Sequence, residues 1–346
     1  MDELHIPPDL KDKLKKSGLK IDQSGESKRI TVLFADMRGF SYLLEKRDVK
    51  YVLKILDIYF HMLVSLVRKY DGIVDKLLGD GLMAVWGVPE EKEYDTYNAV
   101  RAALEMRIGM FRVIPELVKI GEVPLEIGIG IGTGKAVTGF VGPASRRDFT
   151  LVGECINRAA RLQSIASDNR IFLDSETEAA VKSYTYSLTI PAKSHRHVLQ
   201  NEDIFELEGI YDFSHEFESV RKHPRVIVAK VIGVTKALSG ERKVGLIRSI
   251  GEGGFGVEMH DDENFKLQVG EEARFDSSRL SVFENMDLEG IVVRKNEIKG
   301  GGIFRIKTWD IGVQLVNLPI EIKRKLMKIL VGSKVVRGFA GDKNKD

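Results

Sequence analysis

Charged side chains stand among apolar ones in the stretch Ile73–Gly87, IVDKLLGDGLMAVWG. Two apolar runs flank Gly79-Asp80-Gly81, the pattern of a β-hairpin with a short turn. Asp75, Lys76 and Asp80 interrupt the ribbon, and a charge that is half-buried is costly unless it meets a partner. Asp80 can equally be a simple turn former, because Asp-Gly is a common turn pair. A further carboxylate, Asp36, closes the apolar run Ile30–Ala35 and is followed by Met37-Arg38-Gly39. The end of a buried strand is where α/β folds place ligand-binding groups, although a lone Asp there can also cap the next turn. Later, Asn157 and Arg161 lie four residues apart in a helical stretch and so share a face, either as working groups or as a solvated pair.

Other stretches invite chemistry without carrying it. Leu125–Gly142 reads LEIGIGIGTGKAVTGFVG. A phosphate-binding loop would need Gly where Ile129 stands and Ser or Thr where Ala136 stands, and no frame gives GxGxxG. The run alternates instead: Ile127, Ile129 and Ile131 point one way, and Gly128, Gly130 and Gly132 the other. That is a strand with one bare face, on which another backbone or a ligand can lie closely, and Gly134–Gly142 reads as a second strand. His195 and His197 form an isolated HxH with no acidic or Cys neighbours, too little for a metal site. Cys155 is the single cysteine, so no intrachain disulfide forms and a reducing, cytoplasmic setting is expected.

The elements that must position these residues are legible from periodicity. Pro7 and Pro8 open a short helix over Leu10–Ser17, and Asp48–Tyr70 carries apolar residues at helical spacing. Asp95 or Thr96 caps another helix that ends or kinks at Pro115. Cys155, Ala159, Leu162 and Ala166 form the apolar stripe of the helix bearing Asn157 and Arg161. Past Tyr211–Val220 the pattern turns into short β-type runs: Val226–Val234, Lys243–Ile250, Gly254–Met259, Glu272–Phe283, Leu288–Arg294 and Ile303–Val316. Such a series predicts a small barrel, followed by a helix over Pro319–Val331. The 346 residues suit two domains, the net charge of +2 gives no case for nucleic acid, and no apolar run can span a bilayer.

Three blocks in order resemble the class III nucleotidyl cyclase catalytic domain: Phe34–Ser41 (FADMRGFS), Lys76–Gly81 (KLLGDG) and Thr150–Leu162 (TLVGECINRAARL). The resemblance implies an α+β, ferredoxin-like-derived fold of βααββαβ type and carries over site roles position by position. Asp36 and Asp80 match the two metal-binding aspartates, with the carbonyl of Met37 beside them, for two Mg²⁺ or Mn²⁺ ions. Arg161 matches the arginine that stabilises charge on the phosphoryl group, and Asn157 the residue that orients the ribose. Lys76 and Thr150 match the base readers. Lys76 can donate to N1 of adenine, and the Thr150 hydroxyl can accept from N6. Thr in place of Asp leaves a hydroxyl that can act either way. The family also implies a head-to-tail homodimer in which each site draws on both chains.

The C-terminal barrel resembles a PilZ domain. Arg221-Lys222-His223-Pro224-Arg225 matches its RxxxR, whose guanidinium groups suit a cyclic dinucleotide. Its second motif aligns with Ser249–Gly254, but Ser249 replaces Asp or Asn and Gly251 replaces Ser, so that only Gly254 fits. The cyclic di-GMP set that the resemblance implies is thus Arg221, Arg225, Ser249 and Gly254, and the alternative is a barrel used for packing. The domain expectation is a helix and linker over 1–28, a cyclase domain over 29–211, a linker over 212–220, a PilZ-like barrel over 221–335 and a tail over 336–346. The implied function is a cytoplasmic adenylate cyclase acting on ATP and tuned by the barrel. A guanylate cyclase and a silent nucleotide receptor are the alternatives.

Overall fold

The computed structural model describes residues 4–18, 25–118, 125–143, 145–192, 202–212, 225–260, 265–283, 286–298 and 307–340. Two compact units divide the chain: Met1–Lys182 with Ser187–Leu207, and Ser183–Tyr186 with Glu208–Asp346.

The first unit opens with β1 (Leu4–His5) and α1 (Pro8–Ser17), whose prolines occupy the first helical turn, where a missing N–H is harmless. Then follow β2 (Glu26–Arg38), α2 (Phe40–Lys46), α3 (Val49–Lys69), β3 (Ile73–Leu78), β4 (Gly81–Trp86), α4 (Asp95–Val118) and β5 (Glu126–Val141). This is the expected βααββαβ order. The unit continues through β6 (Arg147–Val152), α5 (Glu154–Ile165), β7 (Ile171–Leu173) and α6 (Ser175–Val181), then takes in Ser187–Ile190 of β8 (Thr185–Ile190) and Ile204–Leu207 of β9 (Ile204–Asp212). Its sheet runs β9-β7-β5-β2-β4-β3, and β6 pairs with β5 and β1 with β6. Buried Val52, Ile55, Tyr59, Leu63 and Val67 line one face of α3, the stripe that its spacing predicts.

One expectation is corrected and another is narrowed. The runs on either side of Gly132-Thr133-Gly134 do not form two strands: β5 is one strand of 16 residues, and β2 pairs with it from Glu126 to Thr138. Of the two outcomes expected at Pro115, an end or a kink, the end does not occur: α4 runs through Pro115 to Val118.

The glycine face of β5 is covered by helix backbone. A Cβ on Gly130 would sit 2.2 Å from the carbonyl oxygen of Ala159, and one on Gly132 would sit 2.4 Å from that of Cys155. Both distances are inside van der Waals contact, so the glycines let α5 lie directly on the sheet. Of the two occupants that the bare face allowed, a backbone or a ligand, it is the backbone.

In the second unit, β10 (Arg225–Lys236), β11 (Arg242–Gly251), β12 (Gly254–His260), β13 (Glu272–Asp276), β14 (Asp287–Ile298) and β15 (Thr308–Val316) are all antiparallel. The pairings run β10-β11-β12-β15-β14-β13 and back to β10, which closes a six-stranded barrel with no free edge. The expected run Glu272–Phe283 is strand only to Asp276, and Ser281–Phe283 is a 3-10 turn. Ile322, Leu326 and Leu330 of α7 (Ile320–Ala340) are buried in the barrel's core cluster with Phe255, Phe275 and Phe283. Among the described residues no helix is long and apolar enough to cross a membrane.

Candidate active site

Asp36 lies near the end of β2, and Asp80 in the β3–β4 turn. Gly81 is the register partner of both Asp36 and Leu78, so the hairpin turn is held against the end of β2. The Met37 N–H donates to the Asp80 carbonyl oxygen at 3.4 Å. The two carboxylates sense each other. Burial first, and then the Asp80 charge, push the Asp36 carboxyl above its ordinary value, against the opposing pull of Arg38. Arg38 Nη1 is 3.5 Å from Asp36 Oδ2, while its Nε donates to the Ala166 carbonyl at 2.9 Å and its Nη2 to that of Gln163. Tyr59 of α3 is fully buried, and its hydroxyl has no hydrogen-bond partner among the described residues. Burial, then Asp36 and Asp80, raise this phenol well above its ordinary value.

Such a pair of close carboxylates is a donor set for a hard divalent cation. Among the described residues no three His, Cys, Asp or Glu side chains gather to hold a metal ion. A site on Asp36 and Asp80 would therefore be completed by backbone carbonyls, water or substrate phosphates, as is usual for Mg²⁺.

Lys76 is placed by a β-bulge. The β3–β4 register steps from Val74–Ala84 to Lys76–Met83, leaving Asp75 as the extra residue. The Asp75 side chain is 2% exposed and pairs with Lys76 Nζ at 3.1 Å, while the Lys76 side chain remains 47% exposed. Burial raises the Asp75 carboxyl, and the Lys76 charge pulls it back. Thus the ribbon's buried charge has its partner, and the ammonium still reaches solvent.

Thr150, on β6, donates its hydroxyl proton to the Asp148 carbonyl oxygen at 3.1 Å. Its oxygen is then left to accept. On β5, Thr150 pairs with Gly139, whereas Asp36 pairs with Gly128, eleven positions away. Within one chain Thr150 and Asp36 therefore flank opposite ends of the same strand.

Asn157 and Arg161 are both exposed and lie one turn apart on α5. Between them, Arg158 turns inward and fixes the helix. Its Nε is 2.9 Å from Asp174 Oδ2, and its Nη2 donates to the Thr133 carbonyl at 3.0 Å. Asp174 is fully buried, caps α6 by accepting from the Thr177 N–H, and also accepts from the Thr177 hydroxyl. Sequence reasoning missed Arg38, Arg158 and Asp174. Arg38 holds the remote carbonyls of Gln163 and Ala166, Arg158 and Asp174 lie sixteen positions apart, and no spacing rule links them.

In the barrel, Arg225 Nη1 donates to the Ser249 hydroxyl at 3.3 Å, and a Cβ on Gly251 would lie 3.6 Å from the Arg225 stem. Gly254 is the register partner of Gly251. Three of the four expected barrel positions are thus brought together, while Arg221 lies outside the described residues, as do His195 and His197.

The family model "Adenylate and Guanylate cyclase catalytic domain" matches residues 23–209. The chain belongs to this family. A PilZ domain model matches residues 219–332, over the closed barrel. An uncharacterized protein of Mycobacterium tuberculosis is 29% identical over 175 residues, covering 48% of this chain and 31% of its own length. An adenylate cyclase of Dictyostelium discoideum, terminal-differentiation specific, is 29% identical over 180 residues, covering 51% of this chain and 8% of its own length. The chain thus spans less than a third of these curated relatives. Among solved structures, the guanylyl cyclase Cya2 is 29% identical with a TM-score of 0.50, over 56% of this chain and 97% of its own. The adenylyl cyclase CyaB from P. aeruginosa is also 29% identical, with a TM-score of 0.49, over 53% of this chain and 95% of its own. The Dictyostelium relative and Cya2 are thus named for different bases, adenylate and guanylyl.

Proposed function

We propose that the chain is an adenylate cyclase, converting ATP to 3′,5′-cyclic AMP and pyrophosphate at sites shared by two copies arranged head to tail. The ATP 3′-oxygen bonds to the α-phosphorus, the α–β P–O bond breaks with pyrophosphate leaving, and the 3′-hydroxyl proton passes to solvent. Asp36 and Asp80, with the Met37 carbonyl, would hold two Mg²⁺ or Mn²⁺ ions, which when bound lower the hydroxyl pKa and neutralise the triphosphate. Arg161 donates to the phosphoryl oxygens as charge builds on them, and Asn157 orients the ribose.

The hydrogen bond from Thr150 to the Asp148 carbonyl carries the choice of base. With its proton committed, the hydroxyl oxygen accepts from the N6 amino group of adenine and meets the O6 acceptor of guanine badly. Lys76 adds a donor for adenine N1, where guanine presents a donor of its own. The opposite placement of Thr150 and Asp36 along β5 supports a site that takes its metal-binding carboxylates from one copy and its base readers from the other. We assign the barrel a regulatory role, with cyclic di-GMP held by Arg221, Arg225, Ser249 and Gly254.

The test is product analysis of the purified chain given ATP or GTP with Mg²⁺ or Mn²⁺, with and without cyclic di-GMP. Cyclic AMP from ATP is expected, with a rate that changes on adding cyclic di-GMP. Cyclic GMP as the dominant product would overturn the base assignment. No cyclic product from folded dimers would point to a silent receptor.

A further inference from the structure

The segment Leu4–Ser17 precedes the matched cyclase region, yet it touches both strands that carry the base readers. On one side, β1 pairs in parallel with β6, Leu4 with Arg147 and His5 with Asp148. Asp148 is the residue whose carbonyl takes the Thr150 proton. On the other side, Asp9 Oδ2 accepts the Val74 N–H at 3.2 Å. Val74 is the last regular residue before the bulge that presents Lys76. Asp9 Oδ1 is aimed by Arg68 Nε at 2.9 Å, and Lys13 Nζ pairs with Asp71 Oδ1 at 3.0 Å, just ahead of β3. Between these contacts, Leu10 is fully buried in one cluster with Phe149 and Leu151, which flank Thr150, and with Ile73 and Met83 of the hairpin.

A bulge interrupts its ladder and leaves local backbone geometry less determined than in a regular strand. A carboxylate that accepts the amide at such a point fixes how the next side chains leave the strand. We propose that this N-terminal segment braces the base pocket, and that Asp9 is a positioning residue that sets the presentation of Lys76 and hence the preference between ATP and GTP. This rests on the reading of Lys76 and Thr150 as base readers.

The experiment compares kcat and KM for ATP and GTP in full-length Asp9→Ala, Asp9→Asn, Arg68→Ala and Lys76→Ala, each with its thermal midpoint. Asp9→Ala should raise KM for ATP about fivefold with kcat little changed, and lower the ATP:GTP ratio of kcat/KM by a similar factor. Asp9→Asn keeps an acceptor for the Val74 amide and should stay near the parent. Arg68→Ala only unaims the carboxylate, so it should shift the ratio less, in the same direction. It also decides the matter if Asp9→Ala does not fold. If Lys76→Ala leaves the ratio unmoved, the base-reading assignment fails and the brace with it. If Lys76→Ala moves the ratio while folded Asp9→Ala and Arg68→Ala lower only the thermal midpoint, the brace alone is overturned.

Discussion

In the proposed base pocket, the placement of one proton at Thr150 would set which base edge is accepted. The residue type alone leaves the hydroxyl free to donate or accept, and only the backbone of β6 commits it, through Asp148. Thr150→Val keeps the shape and removes the acceptor. It should lower kcat/KM for ATP about fivefold and leave GTP turnover nearly unchanged, measured by product chromatography. Asp36 and Asp80 show the other side of such a site, since their mutual repulsion is built into the fold. Asp80→Asn should abolish cyclisation, by on the order of a thousandfold or more, yet raise the metal-free thermal midpoint by about 2–4 °C. Calorimetry in a chelator checks the second outcome, and a lowered midpoint would contradict it. The roles proposed for the carboxylates, Lys76, Asn157 and Arg161 come from motif order in the sequence. Arg38, Arg158 and Asp174 were not legible there, because Arg158 and Asp174 meet only after α5 settles on β5.

Helix α5 sits where it does because three glycines of β5 let it approach. Gly130→Ala would place a methyl 2.2 Å from the Ala159 carbonyl oxygen and 2.3 Å from the Gln163 nitrogen. The helix must then lift, at a cost of about 2–4 kcal/mol, and carry Asn157 and Arg161 with it. Denaturant unfolding and kcat should fall together. Alternation in the sequence revealed the bare face but not its cover, because periodicity carries no information about a partner from elsewhere in the chain. The same stretch misled on strand count. A second strand was expected from Gly134, yet Gly132-Thr133-Gly134 stays extended between β2 and the buried Asp174, whose carboxylate accepts the Thr133 N–H at 3.2 Å.

Helix α1 is held in part by Asp71, which burial would push up but which hydrogen bonds from Lys92 and Lys13 bring below its ordinary value. A lowered carboxyl stabilises the fold above its unfolded pKa near 3.8, and this contribution is lost as pH falls through the lower folded value. Asp71→Asn suits the left-handed backbone there, at φ 61°. It should cost about 0.5–1 kcal/mol at pH 6, since the pair is solvent-screened. The difference from the parent should shrink below about pH 4 in thermal scans. A difference that grows in acid would contradict the ion-pair account.

For the whole chain, two architectures follow one another, a cyclase domain and a closed PilZ barrel, and the change of pattern past Tyr211 marks the passage between them. The barrel was legible because its β-type runs follow one another with turns between them. The strand order that closes it was not, because it rests on the pairing of β10 with both β11 and β13. The proposed activity depends on one further level of organisation, a pair of chains. Asp80 and Arg161 would serve different sites in each chain but the same site across the pair. The most direct measurement mixes two inactive variants, Asp80→Ala and Arg161→Ala, under conditions in which dimers exchange, and follows cyclic AMP. Random reassortment makes half the dimers mixed, each with one intact site, so activity should return to about a quarter of the parent level. Two variants that are each inactive and stay inactive when mixed, despite proven exchange, would contradict a shared site.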